Sequence, residues 1–328
     1  MNSGLLTPRH WPGAANLQSW HAFWLGKTYS TTLYAEGTTP PGVTVSGTIP
    51  ENFGLRIEIT TGGSRGTAVF RWSSDNGTSW TSSVTTAASV ALGSSGVNAD
   101  FAAGTYATDN VYQLKITSWA DQGGASNTFA QASLMKAPIP RVLTAGRMGL
   151  GFDGTQQLMQ CTTGLANTLL SGNDTAHMIL GAVHFDSVAA DQTMFSFCNG
   201  AVDTSLYDIF PIASTSKWRF NKRGTTGSLV MTEGGTPTTG IHVFRINNAG
   251  TTVALKVDGS TISLSSSGAL DANSLTVNTL TLAATFIAGA EANRGALTWL
   301  ELLTYNANPS SAIGDDIENR LLRRYGFI

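Results

Sequence analysis

Apolar and polar residues alternate along many short segments of this chain, which is the pattern of β-strands that bury one face of a sheet. The clearest alternating segments are residues 55–59, 67–72, 111–117, 241–246 and 252–257. Asn76-Gly77 and Asp258-Gly259 are dipeptides that favour tight turns between strands. The pattern therefore predicts a chain built mostly from β-strands.

The C-terminal part contains longer apolar runs and one helical repeat. Residues 176–185, 275–287 and 297–305 are rich in apolar residues, which predicts central strands of a sheet. After them an apolar residue recurs at every fourth position and predicts a helix that packs on a sheet. This stripe consists of Ile313, Ile317, Leu321 and Tyr325.

The ends of that helix are marked by capping and charged residues. Asn308 followed by Pro309 predicts the N-terminal cap, with Ser311 as an alternative. Acidic residues come early and basic residues late, which complements the helix dipole. The acidic residues are Asp315, Asp316 and Glu318, and the basic ones are Arg320, Arg323 and Arg324.

Several of these segments together resemble a known superfamily. The hairpin LKVDG, the strand near Gly289, the strand LTWLELLTYNANPS and the terminal IENRLLRRYGFI are similar to concanavalin-A-like lectins and glucanases. More narrowly, they resemble the laminin-G-like jelly rolls of bacteriophage structural proteins. The resemblance covers residues 119–328 and implies a two-sheet jelly roll; it specifies a fold and not an activity.

Two further segments precede the predicted jelly roll. Residues 36–118 carry about six short strands at roughly ten-residue spacing, which predicts a small β-sandwich module. Residues 1–35 form a leader in which residues 14–25 fit a short helix. Trp11, Trp20 and Trp24 of this leader are candidates for anchoring a partner protein, because tryptophan is favoured at interface cores. The alternative is that the leader packs on its own chain.

Residues 73–80 of the predicted module resemble an Asp-box hairpin, the motif of sialidase propellers. In this sequence the motif reads SSDNGTSW, with Ser79 where threonine is usual. Asp75 and Ser73 suit hydrogen bonds to the turn backbone, and Gly77 suits positive φ. A propeller requires repeated units and the chain contains one such motif, so we interpret it as structural.

Composition and charge exclude some partners. Charged residues make up 12% of the chain and the net charge is −2, without a clustered basic patch that would indicate a nucleic-acid site. No apolar run approaches the length of a membrane span, and the N-terminus lacks the pattern of a secretory signal. Few charges on a surface suit a protein that is covered in an assembly.

Catalytic constellations are missing from the sequence. Glucanases of sandwich fold use paired carboxylates, whereas Glu301 lies in its strand without a second carboxylate, which favours a structural role. The chain has no nucleophile elbow, and its histidines are scattered; His242 is expected to point away from the core. We therefore predict that the protein is not an enzyme.

A sugar site needs an exposed aromatic ring with polar neighbours. Trp218, with Tyr207, Asp208 and Arg219 nearby, is the candidate ligand-binding set, and core packing is the alternative for Trp218. No cofactor is predicted except calcium, for which the resemblance implies a rim site of oxygen ligands. The candidate loop carboxylates are Asp186, Asp191, Asp203 and Asp208.

The two cysteines do not have metal-ligand spacing. Buried free thiols are the expectation for Cys161 and Cys198, and a disulfide requires their strands to be neighbours.

The sequence thus predicts an all-β, non-enzymatic structural protein of a bacteriophage virion, made in the bacterial cytoplasm. A head fibre, a capsid decoration and a tail-associated adhesin all fit. Its expected partners are other virion proteins, bound through the N-terminal segment, and a host-surface glycan bound by the lectin-like domain. The resemblance also implies a homo-oligomer, most often a trimer. The alternative is an extracellular protein of the glucanase superfamily that binds or hydrolyses glycans.

Overall fold

The computed structural model describes residues 11–23, 25–143, 147–170, 176–199, 206–223, 230–249, 251–266, 277–287, 290–292 and 294–328. The chain divides into two compact units. The larger unit consists of residues 1–26, 118–130 and 152–328, and the smaller unit consists of residues 27–117 and 131–151. Residues 1–26 of the expected leader thus belong to the larger unit and residues 27–35 to the smaller one. Residues 131–151, which were assigned to the jelly roll, also belong to the smaller unit.

The first seventeen strands run from the N-terminus through the smaller unit into the larger one. They are β1 (Leu17–Ala22), β2 (Lys27–Tyr29), β3 (Tyr34–Glu36), β4 (Val43–Gly47), β5 (Arg56–Thr61), β6 (Gly63–Ser64), β7 (Val69–Ser73), β8 (Thr81–Thr85), β9 (Val90–Ala91), β10 (Val97–Phe101), β11 (Thr105–Tyr106), β12 (Val111–Gln113), β13 (Ile116–Trp119), β14 (Phe129–Ala130), β15 (Ile139–Val142), β16 (Met148–Gly151) and β17 (Met159–Cys161).

The remaining elements belong to the larger unit. They are α1 (Leu165–Leu170), β18 (His177–Phe185), β19 (Phe195–Cys198), β20 (Leu206–Ile212), β21 (Lys217–Arg223), β22 (Val230–Gly234), β23 (Gly240–Asn248), β24 (Val253–Val257), β25 (Ser260–Ile262), β26 (Ser265–Ser266), β27 (Thr279–Leu282), β28 (Thr285–Ile287), β29 (Ala290–Ala292), β30 (Leu297–Tyr305) and α2 (Ser311–Tyr325).

Two antiparallel sheets form the larger unit. One contains β30, β18, β23, β24 and β25 in that order, with β1 also paired to β30; the other runs β14, β17, β27, β19, β20, β21, β22, β26. Aromatic rings fill the space between the sheets: Phe244 lies 6.2 Å from Phe195 and 5.7 Å from Trp299, measured between ring centroids. This two-sheet packing and the terminal helix confirm the predicted fold class.

The smaller unit is a second sandwich with its own core. A five-stranded sheet (β3, β12, β5, β7, β8) and a three-stranded sheet (β4, β10, β9) supply the buried residues of this core. Leu55, Ile57 and Ile59 are buried, as their alternation predicts. The predicted small β-sandwich is therefore confirmed.

The helix predicted for residues 14–25 is wrong. A single 3-10 turn, Ala14–Asn16, is followed by strand β1. β1 lies antiparallel to β30, with Trp20 opposite Leu303 and Ala22 opposite Glu301. The backbone partners on β30 decide the conformation here, because long-range pairing overrides a weak helical preference.

Helix α2 begins later than predicted. It starts at Ser311, and Ser310 occupies the cap position without a capping hydrogen bond from its side chain. Asn308 lies two residues before the cap position, and its Nδ2 donates to the Asn248 carbonyl at 2.7 Å. The first turn of α2 has no acidic residue, so Asp315 lies beyond the region where the helix dipole acts most strongly. Ile317, Leu321 and Tyr325 of the predicted stripe are buried.

Candidate functional site

The structure does not bring the predicted sugar-binding residues together. Trp218 and Tyr207 lie between the two sheets of the larger unit and are 1% and 0% exposed. Trp218 packs edge-on against Phe185, at 5.9 Å between centroids, and the Tyr207 hydroxyl lies 3.0 Å from His177 Nε2. The expectation that Trp218 forms an exposed platform is wrong. Trp218 packs in the core, which was the alternative.

The two polar members of that set lie on the opposite face of their strands. Successive strand residues point to opposite faces, so Asp208 and Arg219 point away from Tyr207 and Trp218. Asp208 is buried, and Arg219 forms an ion pair with Glu233. A ligand role for this set stays a prediction, but the four side chains do not form one surface.

The leader tryptophans pack on their own unit. Trp11 and Trp20 are buried, with ring centroids 5.8 Å apart in an edge-to-face arrangement. The Trp20 Nε1–H donates to Glu301 Oε1 at 2.8 Å. Both rings pack inside their own unit, which is the alternative given for the leader, and anchoring of a partner stays a prediction. Trp24 lies outside the described residues.

A cavity of about 280 Å³ opens between helix α2 and the hairpin strands β23, β24 and β25. We call it the Arg245 cavity. Its lining residues are Arg245, Asn247, Ala254, Lys256, Thr261, Pro309, Ser311 and Gly314. Arg245 lies opposite Lys256 in the β23–β24 ladder, so both cations lie on the sheet face that the helix covers.

Two carboxylates from α2 meet these two cations. Asp315 Oδ1 lies 2.9 Å from Arg245 Nη2 and 2.8 Å from Lys256 Nζ, so it bridges them. Glu318 Oε2 lies 3.3 Å from Arg245 Nη1 and 3.5 Å from Lys256 Nζ. The hydrogen bond from Lys256 is the main cause that lowers the pKa of Asp315, with a further contribution from Arg245.

The network leaves polar atoms without hydrogen-bond partners. Arg245 is only 7% exposed, yet its Nε and Nη1 have no hydrogen-bond acceptor among the described residues. Glu318, 2% exposed, has an Oε1 without a donor. Such buried groups cost free energy, and in native proteins they often mark a place where water, an ion or a ligand completes the network. Lys256 and Asp315 reach solvent, with side chains 26% and 48% exposed.

Sequence reasoning missed this cavity because it assigned the helix acids to the dipole. A signal for it was present. Arg245 and Lys256 are the cations of a predicted hairpin, and Asp315 and Glu318 are spaced by three residues, which places them on one helix face.

His242 forms a second polar cluster in the larger unit. Its Nδ1 lies 2.7 Å from Asp258 Oδ2, and its Nε2 lies 2.9 Å from the Thr238 carbonyl and 3.2 Å from Thr238 Oγ1. A carboxylate and a carbonyl both accept, so the protonated ring, with hydrogen on both nitrogens, donates to each of them. Burial lowers the pKa of His242, but Asp258 and the Thr238 carbonyl raise it more, so that the net shift is upward.

This arrangement corrects one expectation and has a catalytic implication. The His242 ring faces the core against Trp218, 5.8 Å away, and does not point off it. In the protonated ring Nε2 donates to the Thr238 carbonyl and cannot take a proton from the Thr238 hydroxyl. In this state the hydrogen bonds of His242 fix the position of the hairpin, and the ring is not the free base that nucleophilic catalysis needs.

The candidate metal and cysteine residues are dispersed. Among the described residues, no three His, Cys, Asp or Glu side chains come close enough to hold a metal ion. Asp191 instead accepts the Ala213 N–H at 2.9 Å, and Asp203 lies outside the described ranges. Calcium binding stays a prediction. Cys161 and Cys198 are buried free thiols, as predicted.

The Asp-box of the smaller unit is a hydrogen-bonded turn. Ser73 Oγ donates to Asp75 Oδ1 at 2.6 Å and accepts the Gly77 N–H at 2.7 Å. Ser79 donates to Asp75 through both its backbone N–H and its hydroxyl. Burial raises the pKa of Asp75, but the hydrogen bonds from Ser73 and Ser79 lower it more. This geometry agrees with the structural interpretation of the motif.

In the described part of the chain, no helix has the length and apolar character required to cross a bilayer.

Comparisons with known proteins returned structures and no families. No family model matches the chain, and no curated protein matches it. The CBM40 module of the Ruminococcus gnavus IT-sialidase, bound to α2,3-sialyllactose, is similar with a TM-score of 0.42 and 14% identity, over 54% of this chain and 96% of that one. The NanB sialidase of Streptococcus pneumoniae gives a TM-score of 0.41 and 15% identity, over 51% of this chain and 27% of that one.

A third similar structure is that of botulinum neurotoxin type C, whose cell entry depends on interaction with two ganglioside molecules. Its TM-score is 0.46 at 13% identity, over 64% of this chain and 51% of that chain. The ligands named in these structures are properties of those proteins.

Proposed function

We propose that this chain is a non-enzymatic glycan-binding protein whose larger unit holds a saccharide in the Arg245 cavity. The observation that carries the proposal is the lining of that cavity. The lining includes Lys256, Asn247 and a buried Arg245 with unsatisfied N–H groups. Asp315 is not itself a lining residue, but its half-exposed carboxylate contacts Arg245 and Lys256. A sugar hydroxyl both donates and accepts, so neighbouring hydroxyls suit such a mixed surface.

The size of the cavity supports a small ligand. Binding sites for small molecules usually have volumes of about 300 to 1,000 Å³, and this cavity is near the lower end. One sugar ring of a larger glycan suits this volume. None of the described residues that line the cavity is aromatic, so polar contacts rather than ring stacking would supply the binding energy.

The second part of the proposal concerns biological setting. We place the protein on a bacteriophage particle, as a head fibre, capsid decoration or tail adhesin. The support is the resemblance of the C-terminal segments to phage jelly rolls and the low content of charged residues, 12%. Trp11 and Trp20 are packed internally, so other residues of the N-terminal segment would have to contact virion partners.

Binding of the full chain to a glycan array and to intact host cells tests the cavity. Ala254→Trp places a large ring in the cavity without removing a charge, and Thr252→Trp is the matched control on an exposed residue outside the lining. We expect saturable glycan binding that Ala254→Trp abolishes and Thr252→Trp retains. Absence of binding, or equal binding by both variants, would refute the cavity as the site.

Three further measurements test the particle location, the oligomeric state and the absence of hydrolysis. Mass spectrometry of purified particles should find the chain at a fixed stoichiometry, and light scattering in solution should give the mass of a homo-oligomer, with a trimer expected. Incubation with every glycan that binds should release no reducing ends. Release that depends on a carboxylate of this chain would favour the alternative, a glycan hydrolase.

A further inference from the structure

We infer that the Arg245 cavity selects the hydroxyl groups of a neutral sugar and rejects acidic sugars, because Asp315 already occupies the position where an anion would bind. This inference rests on the proposed function and names the ligand class of the same site. The supporting observation is that the Asp315 carboxylate bridges Arg245 and Lys256.

An uncapped helix start with two nearby cations would otherwise suit an anion. The first N–H groups of α2 lie beside Ser311, the cap position forms no side-chain hydrogen bond, and Arg245 and Lys256 face the same space. Asp315 Oδ1, however, contacts Arg245 Nη2 and Lys256 Nζ at 2.9 and 2.8 Å. The two cations are therefore already shared by a carboxylate.

An external anion must displace that carboxylate or lie beside it. Asp315 is attached to the same chain and has a high effective concentration at the two cations, so displacement is unfavourable. Binding beside it places like charges close together, and Glu318 adds a second negative charge at 3.5 Å from Lys256. Both routes disfavour the carboxylate of an acidic sugar or a sulfate.

A neutral sugar does not meet this obstacle. One hydroxyl donates to the half-exposed Asp315 carboxylate while its neighbour accepts from Lys256, and neither cation loses its partner. Asn247, which also lines the cavity, adds an amide that both donates and accepts. The charges of the site thus stay balanced when a neutral ligand is bound.

Titration calorimetry with the full chain tests the inference. The probes are the methyl glycosides of glucose, galactose and mannose, N-acetylneuraminic acid, and inorganic sulfate. Asp315→Asn keeps the shape of the side chain and removes its charge. Asp316→Asn is the matched control, because Asp316 pairs with Arg320 at 3.1 Å on the same helix, whereas Asp315 pairs with the lining residues Arg245 and Lys256.

We expect the wild-type chain and Asp316→Asn to bind a neutral methyl glycoside and neither anionic probe. Asp315→Asn should gain affinity for sulfate or N-acetylneuraminic acid by about tenfold or more, the effect of one charge-assisted hydrogen bond, and lose affinity for the neutral glycoside. Lys256→Gln gives a second check if Asp315→Asn does not fold: it should weaken neutral binding without admitting an anion.

The outcomes separate the two proposals. Wild-type binding of N-acetylneuraminic acid at least as tight as that of the neutral glycosides, and blocked by Ala254→Trp, would overturn the inference and support the proposed function. An Asp315→Asn variant that folds and gains no anion affinity would also overturn it. Absence of binding to every saccharide on the array and in solution would overturn both.

Discussion

The buried Glu301 and the partly exposed Arg324 form an ion pair that joins the last long strand to the terminal helix. Arg324 Nη1 lies 2.6 Å from one carboxylate oxygen of Glu301 and 2.7 Å from the other. Glu301 is 0% exposed, and it also accepts from Trp20 Nε1 and, at 3.2 Å, from the Tyr325 hydroxyl. Burial raises the pKa of Glu301, and Arg324 and these donors offset part of that rise. One carboxylate thus connects the N-terminal strand, β30 and α2.

Removal of the cation from this pair should destabilise the larger unit strongly. Arg324→Met leaves a buried carboxylate without its charged partner, which costs about 3 to 5 kcal/mol. Arg320→Met is the control, because its pair with Asp316 is exposed and such pairs contribute about 0 to 1 kcal/mol. Urea denaturation, followed by tryptophan fluorescence, measures both. Equal effects of the two substitutions would contradict a structural role for Glu301.

Much of the fold follows from local patterns. The hairpin of β23 and β24, the strand β30 and the stripe of α2 were all predictable, because alternation and fourfold spacing reflect the buried face directly. The same holds for the Asp-box, whose serine and aspartate side chains bond their own turn. In each case the residues that determine the structure are neighbours in sequence.

The predictions were wrong where contacts between residues far apart in the sequence determine the conformation. Ser19 Oγ and Thr304 Oγ1 lie 2.7 Å apart although 285 residues separate them, and this pairing converts a predicted helix into a strand. His242 was expected to point off the core, but it lies on the same face of β23 as Phe244, which packs between the two sheets. The opposite face of β23 carries Arg245 and is the one that α2 covers.

The candidate site was only partly accessible to sequence reasoning. Alternation in β21 places Trp218 on the same face as the buried Phe220, so the core position of Trp218 was present in the pattern. The Arg245 cavity was harder to predict. Lys256 and Asp315 are 59 residues apart, and their ion pair exists only because α2 packs across the hairpin.

Replacement of Trp218 should affect stability rather than one binding site. Trp218→Ala removes a fully buried ring from between the sheets, and such truncations cost about 3 to 5 kcal/mol. Trp218→Phe fills more of the space and should cost less. Thermal unfolding and glycan binding below the transition temperature distinguish the two roles. Loss of binding by a Trp218→Ala protein of unchanged stability would restore Trp218 as a ligand contact.

The His242–Asp258 pair should make the larger unit less stable as pH rises. The pKa of His242 in the folded chain is raised above its ordinary value of 6.5. The protonated ring therefore contributes stability fully below pH 6.5, and that contribution is lost as pH rises through the higher folded pKa. Denaturation midpoints between pH 5.5 and about pH 9 should fall across this window in the wild type.

Asp258→Asn provides the comparison for that pH series. Asn tolerates the positive φ of 51° at this position, so the turn is retained while the charge partner of His242 is removed. The variant should lose about 1.5 to 3 kcal/mol at pH 6, the value for a hydrogen bond to a charged group, and show a weaker pH dependence. An identical pH profile for both proteins would exclude the pair as its source.

Gly77 of the Asp-box should be intolerant of a side chain. Its φ is 97°, and a Cβ atom there would lie 3.1 Å from the Trp80 ring. Gly77→Ala therefore combines backbone strain of about 1 to 2 kcal/mol with a steric clash.

Gly66→Ala and Gly42→Ala are the controls. Gly66 has a similar φ of 98° with open space around it, so Gly66→Ala isolates the backbone cost, and Gly42→Ala meets neither obstacle. Denaturation of the three variants should rank Gly77→Ala as the most destabilising and Gly42→Ala as neutral or stabilising. If Gly77→Ala and Gly66→Ala cost the same, Trp80 does not pack closely beneath the turn.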